Sequence, residues 1–202
     1  MLINLAAADA AEKTLSVLQR GGIVAVPTDT VYGLCGRADS AVALARLRQI
    51  KSREPEKPLQ ILLADFAAVK KFAVVEPSVA EILARHWPGA LTAILPAIIP
   101  SVGAATADNT VGIRLPDFPW LQALLRKLPY GLAATSANRH GAPPARVAAD
   151  IAATFGDEID LIVDGGELTG AASTVALFTG GGVKILRQGE VIVQGSELKV
   201  ES

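Results

Sequence analysis

Cysteine is almost missing from this chain: Cys35 is the only one in 202 residues. No disulfide framework and no cysteine-based metal site can be built from it, as expected for a reducing cytosol. Two histidines, His86 and His140, leave little for a histidine-based site either. Aromatic residues make up only 4% of the chain, too few to provide the stacking platform of a single-strand nucleic-acid binder. No basic excess exists; 19 basic and 20 acidic side chains leave a net charge of −1, so any positive site must be local. The N-terminus has no basic stretch leading into an apolar one, and Asn4, Asp9 and Glu12 come early, so no secretory leader is expected. The uncharged stretch from Trp87 to Ala107 has the length of a membrane span, but Pro88, Pro96 and Pro100 interrupt it, and it reads as strand plus loop.

What the chain does have is apolar bulk. Half of its residues are hydrophobic, only 19% are charged, and the mean hydropathy is +0.38. Such a chain folds around one good-sized core rather than staying disordered. Apolar spacing predicts helices over 9–20, 40–51, 78–86, 119–127 and 146–155. Ser78 and Glu81 carry the spacing of a capping box for the third. Strands are predicted over 23–26, 59–63, 91–95, 111–115 and 131–134. Four more are expected over 161–163, 174–178, 183–186 and 191–193, divided by glycine-rich turns and arranged as hairpins. The pattern predicts an α/β (α+β) fold with a mixed sheet and helices packed on it.

Four polar clusters stand where predicted strands or helices end, the usual place for ligands in such sheets. Thr28-Asp29-Thr30 with Tyr32 and Gly33 follows a buried strand; its hydroxyls can hold an amino acid, and a self-satisfied turn explains them equally well. Lys51, Arg53 and Lys57 bring three cations into seven residues, in a loop that also holds Pro55 and Pro58. That spacing suits either a polyphosphate clamp or a solvated helix end, and Glu54 and Glu56 partly cancel its field. Arg114 lies between Ile113 and Leu115 and needs an acidic side chain or an anionic ligand if it is buried. Thr135-Ser136-Ala137-Asn138 is small enough for backbone N–H groups to approach a phosphate, or is a plain polar turn. Ser173-Thr174 and Arg187 add a hydroxyl and a cation. No Walker A pattern occurs.

As an ordered set these clusters resemble the YrdC-like family of L-threonylcarbamoyladenylate synthases. The resemblance rests on the run from Pro27 to Leu34, Lys51-x-Arg53-x-x-x-Lys57-Pro58, Trp87-Pro88-Gly89-x-Leu91-Thr92, Val111 to Arg114, Thr135 to Asn138 and Ser173-Thr174-Val175. It spans about residues 10–193. It implies a twisted, mixed, largely antiparallel sheet flanked by helices around a concave cleft. It also implies one catalytic domain over 1–195 with a polar C-terminal tail over 196–202, the short form of the family. The implied reaction joins L-threonine, bicarbonate (or CO2) and ATP into L-threonylcarbamoyladenylate and pyrophosphate, for t6A37 modification of tRNA. Thr30, Arg114 and Ser173 would take the threonine. Lys51, Arg53 and Lys57 would contact the phosphates, and Thr110, Ser136, Asn138 and Arg187 would complete the ATP pocket. Lys51, Arg53, Lys57 and Arg114 would act by positioning and charge, with no residue serving as a general acid or base. Mg2+ would be held mainly through ATP phosphates, with no protein metal site. The product would pass to other t6A-pathway proteins in the cytoplasm, with at most weak tRNA contact and no membrane. Tyr32 is expected as a pocket wall, and His140 at the surface. Arg139-His140 departs from the Ser-Gly pair of many relatives. Two rival readings are a double-stranded RNA or tRNA binding module and a paralogue making another acyl-adenylate.

Overall fold

Short apolar strands and amphipathic helices alternate in the computed structural model, which describes residues 1–51, 59–98, 109–179, 182–193 and 199–200. In chain order the elements are β1 (Leu2–Asn4), α1 (Ala10–Gln19), β2 (Val24–Val26), β3 (Gly33–Arg37), α2 (Ala41–Ile50), β4 (Gln60–Leu62) and α3 (Phe66–Val69). They continue with α4 (Pro77–His86), β5 (Leu91–Pro96), β6 (Thr110–Arg114), α5 (Pro119–Leu125), β7 (Leu132–Ser136) and α6 (Ala148–Phe155). The chain closes with β8 (Leu161–Asp164), β9 (Thr174–Thr179), β10 (Gly182–Arg187) and β11 (Lys199–Val200).

Local chemistry accounts for the helix ends. Ser40 accepts a hydrogen bond from the Ala43 N–H and starts α2, whose buried stripe is Ala43, Leu44, Leu47 and Ile50. Gly21, at φ +78°, takes the left-handed turn after α1, a conformation that a Cβ disfavours. Helix α4 starts two residues earlier than the Ser78–Glu81 spacing predicts. Pro77 occupies its first turn after Glu76, and no side chain caps it, because the fixed φ of proline already suits that position.

All strands among the described residues join one sheet in the order β1-β8-β2-β3-β7-β4-β6-β5-β9-β10-β11. Five of its pairings are parallel and five antiparallel, so the sheet is evenly mixed rather than largely antiparallel. Crossovers are the reason: β1 and β2, joined through α1, both lie parallel to β8, and β5 lies parallel to β9. The expected run of C-terminal hairpins reduces to one, β9–β10, because β8 leaves for the far end of the sheet. Residues 191–193 form no strand, whereas Lys199–Val200, in the segment expected as a tail, pairs with β10.

Side-chain alternation divides the core between the two faces of the sheet. Val24 and Val26 of β2, Leu132 and Ala134 of β7, and Leu161 and Val163 of β8 pack under α1 and α5 with Leu18, Leu121 and Leu124. Ala25, Ala133 and Ile162, their neighbours, point the other way toward Leu47 of α2, Leu83 of α4 and Ile151 of α6. On the first face, Leu62 and Ala134 also line a cavity that extends over β6, β5, β9 and β10. That cavity is the concave side of the molecule.

Candidate active site

Strand periodicity delivers the floor of the cavity. In β4 and β6, Gln60, Leu62, Gly112 and Arg114 face it; in β5 and β9, Thr92, Ile94, Val175 and Leu177 do the same. The cavity measures about 630 Å³ and also takes in Thr28, Thr30, Tyr32, Thr110, Ser136, Ser173 and Arg187. One part is therefore rich in hydroxyl and guanidinium groups, and the other is an aliphatic wall.

Arg114 is 3% exposed, so its charge must be met inside the protein. Its Nη2 donates to Asp29 Oδ1 at 2.6 Å, Nη1 to Thr30 Oγ1 at 2.8 Å and Nε to the Gly89 carbonyl at 3.1 Å. Thr28 makes this possible. Its hydroxyl donates to the Val31 carbonyl at 2.7 Å and accepts from the Thr30 N–H at 3.1 Å, closing the turn that presents Asp29 and Thr30. The turn reading of the Thr-Asp-Thr run holds for Thr28, while Asp29 and Thr30 are partners of Arg114.

Across the floor, Arg187 donates through Nε and Nη2 to the Ser173 carbonyl at 3.1 and 2.9 Å, and through Nη2 to Ser173 Oγ at 3.2 Å. Ser173 Oγ lies 3.0 Å from Thr92 Oγ1, which donates to Gln60 Oε1 at 2.8 Å. Burial, and then the neighbouring charge of Arg114, push the Arg187 pKa below its ordinary value. Two cations near enough to disfavour each other make an anion-seeking hollow. Tyr32 forms part of the wall, as expected: its hydroxyl donates to the Gly166 carbonyl at 2.7 Å and accepts from the Gly165 N–H at 3.0 Å. Burial raises its pKa, so the phenol stays protonated and structural.

The predicted site residues fall into three sets. Thr30, Thr110, Arg114, Ser136, Ser173 and Arg187 all line the one cavity. Lys51 and Asn138 stand directly behind it. Lys51, 2% exposed, donates from Nζ to the Ser136 carbonyl at 2.9 Å, to Asn138 Oδ1 at 2.6 Å and to the Asn138 carbonyl. Ser136 Oγ donates to the same Asn138 Oδ1 at 2.6 Å. Arg53 and Lys57 lie outside the described residues. His140 is exposed, as expected. Sequence reasoning assigns no separate role to Asp29, Thr92 or Gln60: Asp29 and Thr92 are read only as members of their motifs, and Gln60 carries only the alternation of its strand.

Comparison with known proteins follows the same lines. The Sua5/YciO/YrdC family model, described as "Telomere recombination", matches residues 16–189. The threonylcarbamoyl-AMP synthase of Bacillus subtilis is 38% identical over 166 residues, which cover 79% of this chain and 47% of that protein. That of Idiomarina loihiensis is 36% identical over 160 residues, 75% of this chain and 83% of that protein. The chain spans about half the length of the relatives from Bacillus subtilis and Pyrococcus abyssi. Among solved structures, P. abyssi Sua5 complexed with L-threonine superposes with a TM-score of 0.84 at 35% identity, over 94% of this chain and 57% of that one. E. coli YciO, at 22% identity and a TM-score of 0.87, shares the fold over 94% of this chain and 95% of its own. With Thr30, Thr110, Arg114, Ser136, Ser173 and Arg187 gathered on one cavity and the family model matching residues 16–189, the protein belongs to the Sua5/YciO/YrdC family.

Proposed function

We propose that this cavity joins L-threonine, bicarbonate and ATP into L-threonylcarbamoyladenylate, releasing pyrophosphate and water, for the t6A modification at position 37 of tRNA. One observation carries the reading: a buried guanidinium, Arg114, flanked by the Thr30 hydroxyl, shares a single cavity with Ser173, Ser136 and Arg187. The names of the relatives and the threonine complex of P. abyssi Sua5 support the same substrate.

In this reading the threonine carboxylate meets Arg114, and Thr30 and Ser173 hydrogen-bond the amino acid. The Ser136–Asn138 turn, with Thr110 and Arg187, takes the nucleotide, and Arg53 and Lys57 reach its outer phosphates. Lys51 acts on the phosphates through the turn it holds. Bicarbonate takes a proton from the threonine ammonium and loses water to give CO2. The freed amine bonds to the CO2 carbon and releases a second proton to solvent, and an oxygen of the resulting carbamate attacks the α-phosphorus as its bond to pyrophosphate breaks. Both partners are anions, so fixed cations and alignment supply the rate enhancement, and no acid–base pair is needed.

The cavity offers cations and hydroxyls, and its nearest acid, Asp29, is paired with Arg114. Among the described residues no group of three His, Cys, Asp or Glu stands together. Mg2+ would therefore be held by ATP oxygens and water, where it supplies charge neutralisation. The product then passes to other t6A-pathway proteins in the cytoplasm. No described helix is long and apolar enough to cross a membrane. A duplex-RNA module is the weaker reading, since two guanidinium groups in one cavity and a net charge of −1 give a phosphate backbone little to track.

Mass spectrometry after incubation with ATP, threonine, bicarbonate and Mg2+ tests the proposal. The adenylate is expected only when every substrate is present, and Arg114→Ala or Lys57→Ala should reduce it by about 100-fold or more. Pyrophosphate release independent of threonine would count against it, and tight RNA binding without turnover would favour the alternative.

A further inference from the structure

Three residues of β6, Thr110, Gly112 and Arg114, face the cavity in turn, successive ones about 7 Å apart. In the reading above Arg114 holds the threonine carboxylate and Thr110 the nucleotide, so Gly112 marks the place between them, where the carbamate meets the α-phosphate. Gly112 brings no side chain there. Its partner in β4 is Gln60, which also lines the cavity. A Cβ on Gly112 would stand 3.8 Å from Cα and Cβ of Gln60 and from Cγ2 of Thr92, so the bare strand leaves Gln60 a lane across β6 to Thr92 of β5.

Hydrogen-bond direction fixes the Gln60 amide. Arg187 can only donate, so Ser173 Oγ accepts from it; Thr92 gives its one proton to Gln60 Oε1, so Ser173 gives its own to Thr92. The chain Arg187–Ser173–Thr92–Gln60 thus ends on an acceptor. Both N–H groups of Gln60 Nε2 remain, at the cavity and with no partner among the described residues.

We propose that Gln60 Nε2 is the hydrogen-bond donor for the carbamate, taking the oxygen that does not attack phosphorus and leaving the other aligned on the α-phosphate. The inference rests on the threonylcarbamoyladenylate reading and adds to it a site for the CO2-derived group. A neutral amide suits this task. A guanidinium in its place would hold the carbamate by drawing off the charge with which it attacks, whereas an amide aligns the nucleophile and leaves its electron density in place.

Adenylate formation at saturating ATP and L-threonine, followed against bicarbonate concentration, tests it on the full chain in the wild type, Gln60→Leu and Gln60→Glu. Gln60→Leu removes the donor. It should lower kcat/KM for bicarbonate by about tenfold or more, with threonine affinity, read by calorimetry without bicarbonate, within about twofold of the wild type. Gln60→Glu keeps an oxygen for Thr92 but turns a second anion toward the carbamate, and should lose more activity than Gln60→Leu. If Gln60 only anchors Thr92 and Ser173, the order reverses: Gln60→Glu keeps wild-type activity, and Gln60→Leu loses threonine affinity. Either result would overturn the proposal, as would an unchanged bicarbonate dependence in Gln60→Leu. A wild type that makes no adenylate from all three substrates would overturn the threonylcarbamoyladenylate reading itself.

Discussion

The ammonium of Lys51 lies 2.6 Å from the side-chain oxygen of Asn138, and with the main-chain carbonyls of Ser136 and Asn138 it ties the end of α2 to the turn after β7. A lysine with its charge in the interior is tolerated only where several oxygens surround it. Lys51→Met should therefore take a donor from three oxygens, two of which keep another, the Asn138 N–H on the Ser136 carbonyl and the Ser136 hydroxyl on Asn138 Oδ1, and cost about 2 kcal/mol. Thermal unfolding would show the loss, and ATP affinity should fall with it. A Lys51→Met protein as stable as the wild type would contradict this account of the turn.

The same turn is held from its other side by Arg139. This residue donates to the Ile50 carbonyl at 2.9 Å and the Thr154 carbonyl at 2.9 Å, stands 4.7 Å over the ring of Phe155, and pairs with Glu158. Arg139 and Glu158 are 39% and 46% exposed, so the ion pair alone is worth about 0.5 kcal/mol. Glu158→Gln is thus expected to be nearly silent. Arg139→Ala, which also removes the carbonyl and ring contacts, should cost about 1–2 kcal/mol and weaken nucleotide binding. Denaturant melts of the two variants separate these effects: equal losses would assign everything to the ion pair.

Much of this was legible in the sequence, and the failures share a cause. The α2 stripe, the central strand after Gly131 and the need of Arg114 for a partner all follow from short-range pattern. The partner itself does not, since Asp29 lies 85 residues away and is brought in by the sheet. Lys51 reads as a phosphate ligand because Arg53 and Lys57 are its neighbours in sequence, whereas the hydrogen bonds that hold it reach 85 and 87 residues along the chain, to Ser136 and Asn138 at the end of β7. Strand β3 carries two glycines among five residues and reads as a loop until pairing with β2 and β7 supplies what its side chains do not. Strand β8 is legible as a strand but its pairing with β1 and β2 is not, because periodicity sets where a strand is and not what it pairs with.

Cys35 offers a test of the core that does not depend on the reaction. Burial pushes its thiol up to about 12. A group whose pKa is raised by folding contributes stability that is fully present below its unfolded value, near 9, and is lost as pH rises toward its folded value. Between pH 9 and about 12 the thiol should therefore subtract about 1.4 kcal/mol of stability per pH unit. Cys35→Ala should remove that slope, leaving the part due to Tyr32 and Tyr130, whose pKa values burial also raises and which act in the same direction at higher pH. Chemical denaturation in steps from pH 8 to about 11 reads the difference. Parallel curves for the two proteins would show that the thiol is not buried as described.

Gly189 connects the C-terminal segment to the cavity through backbone alone. A Cβ at this position would stand 2.1 Å from the Ala172 carbonyl oxygen, 2.4 Å from the Ser173 carbonyl carbon and 2.5 Å from the Thr174 nitrogen. All three neighbours are main chain, so no side-chain rotation can relieve the clash. Either the 189 segment lifts away, breaking the Gly189 N–H bond to Thr174 Oγ1, or residues 172–174 shift and carry Ser173 from its place beside Arg187 and Thr92. The first route costs stability and the second costs binding. Gly189→Ala should therefore lose about 3 kcal/mol or bind threonine markedly less well, with Arg114 untouched in either case. Measuring both on one protein decides between the routes, and a Gly189→Ala chain with full stability and full threonine affinity would mean that this strand entry is not packed as it stands here.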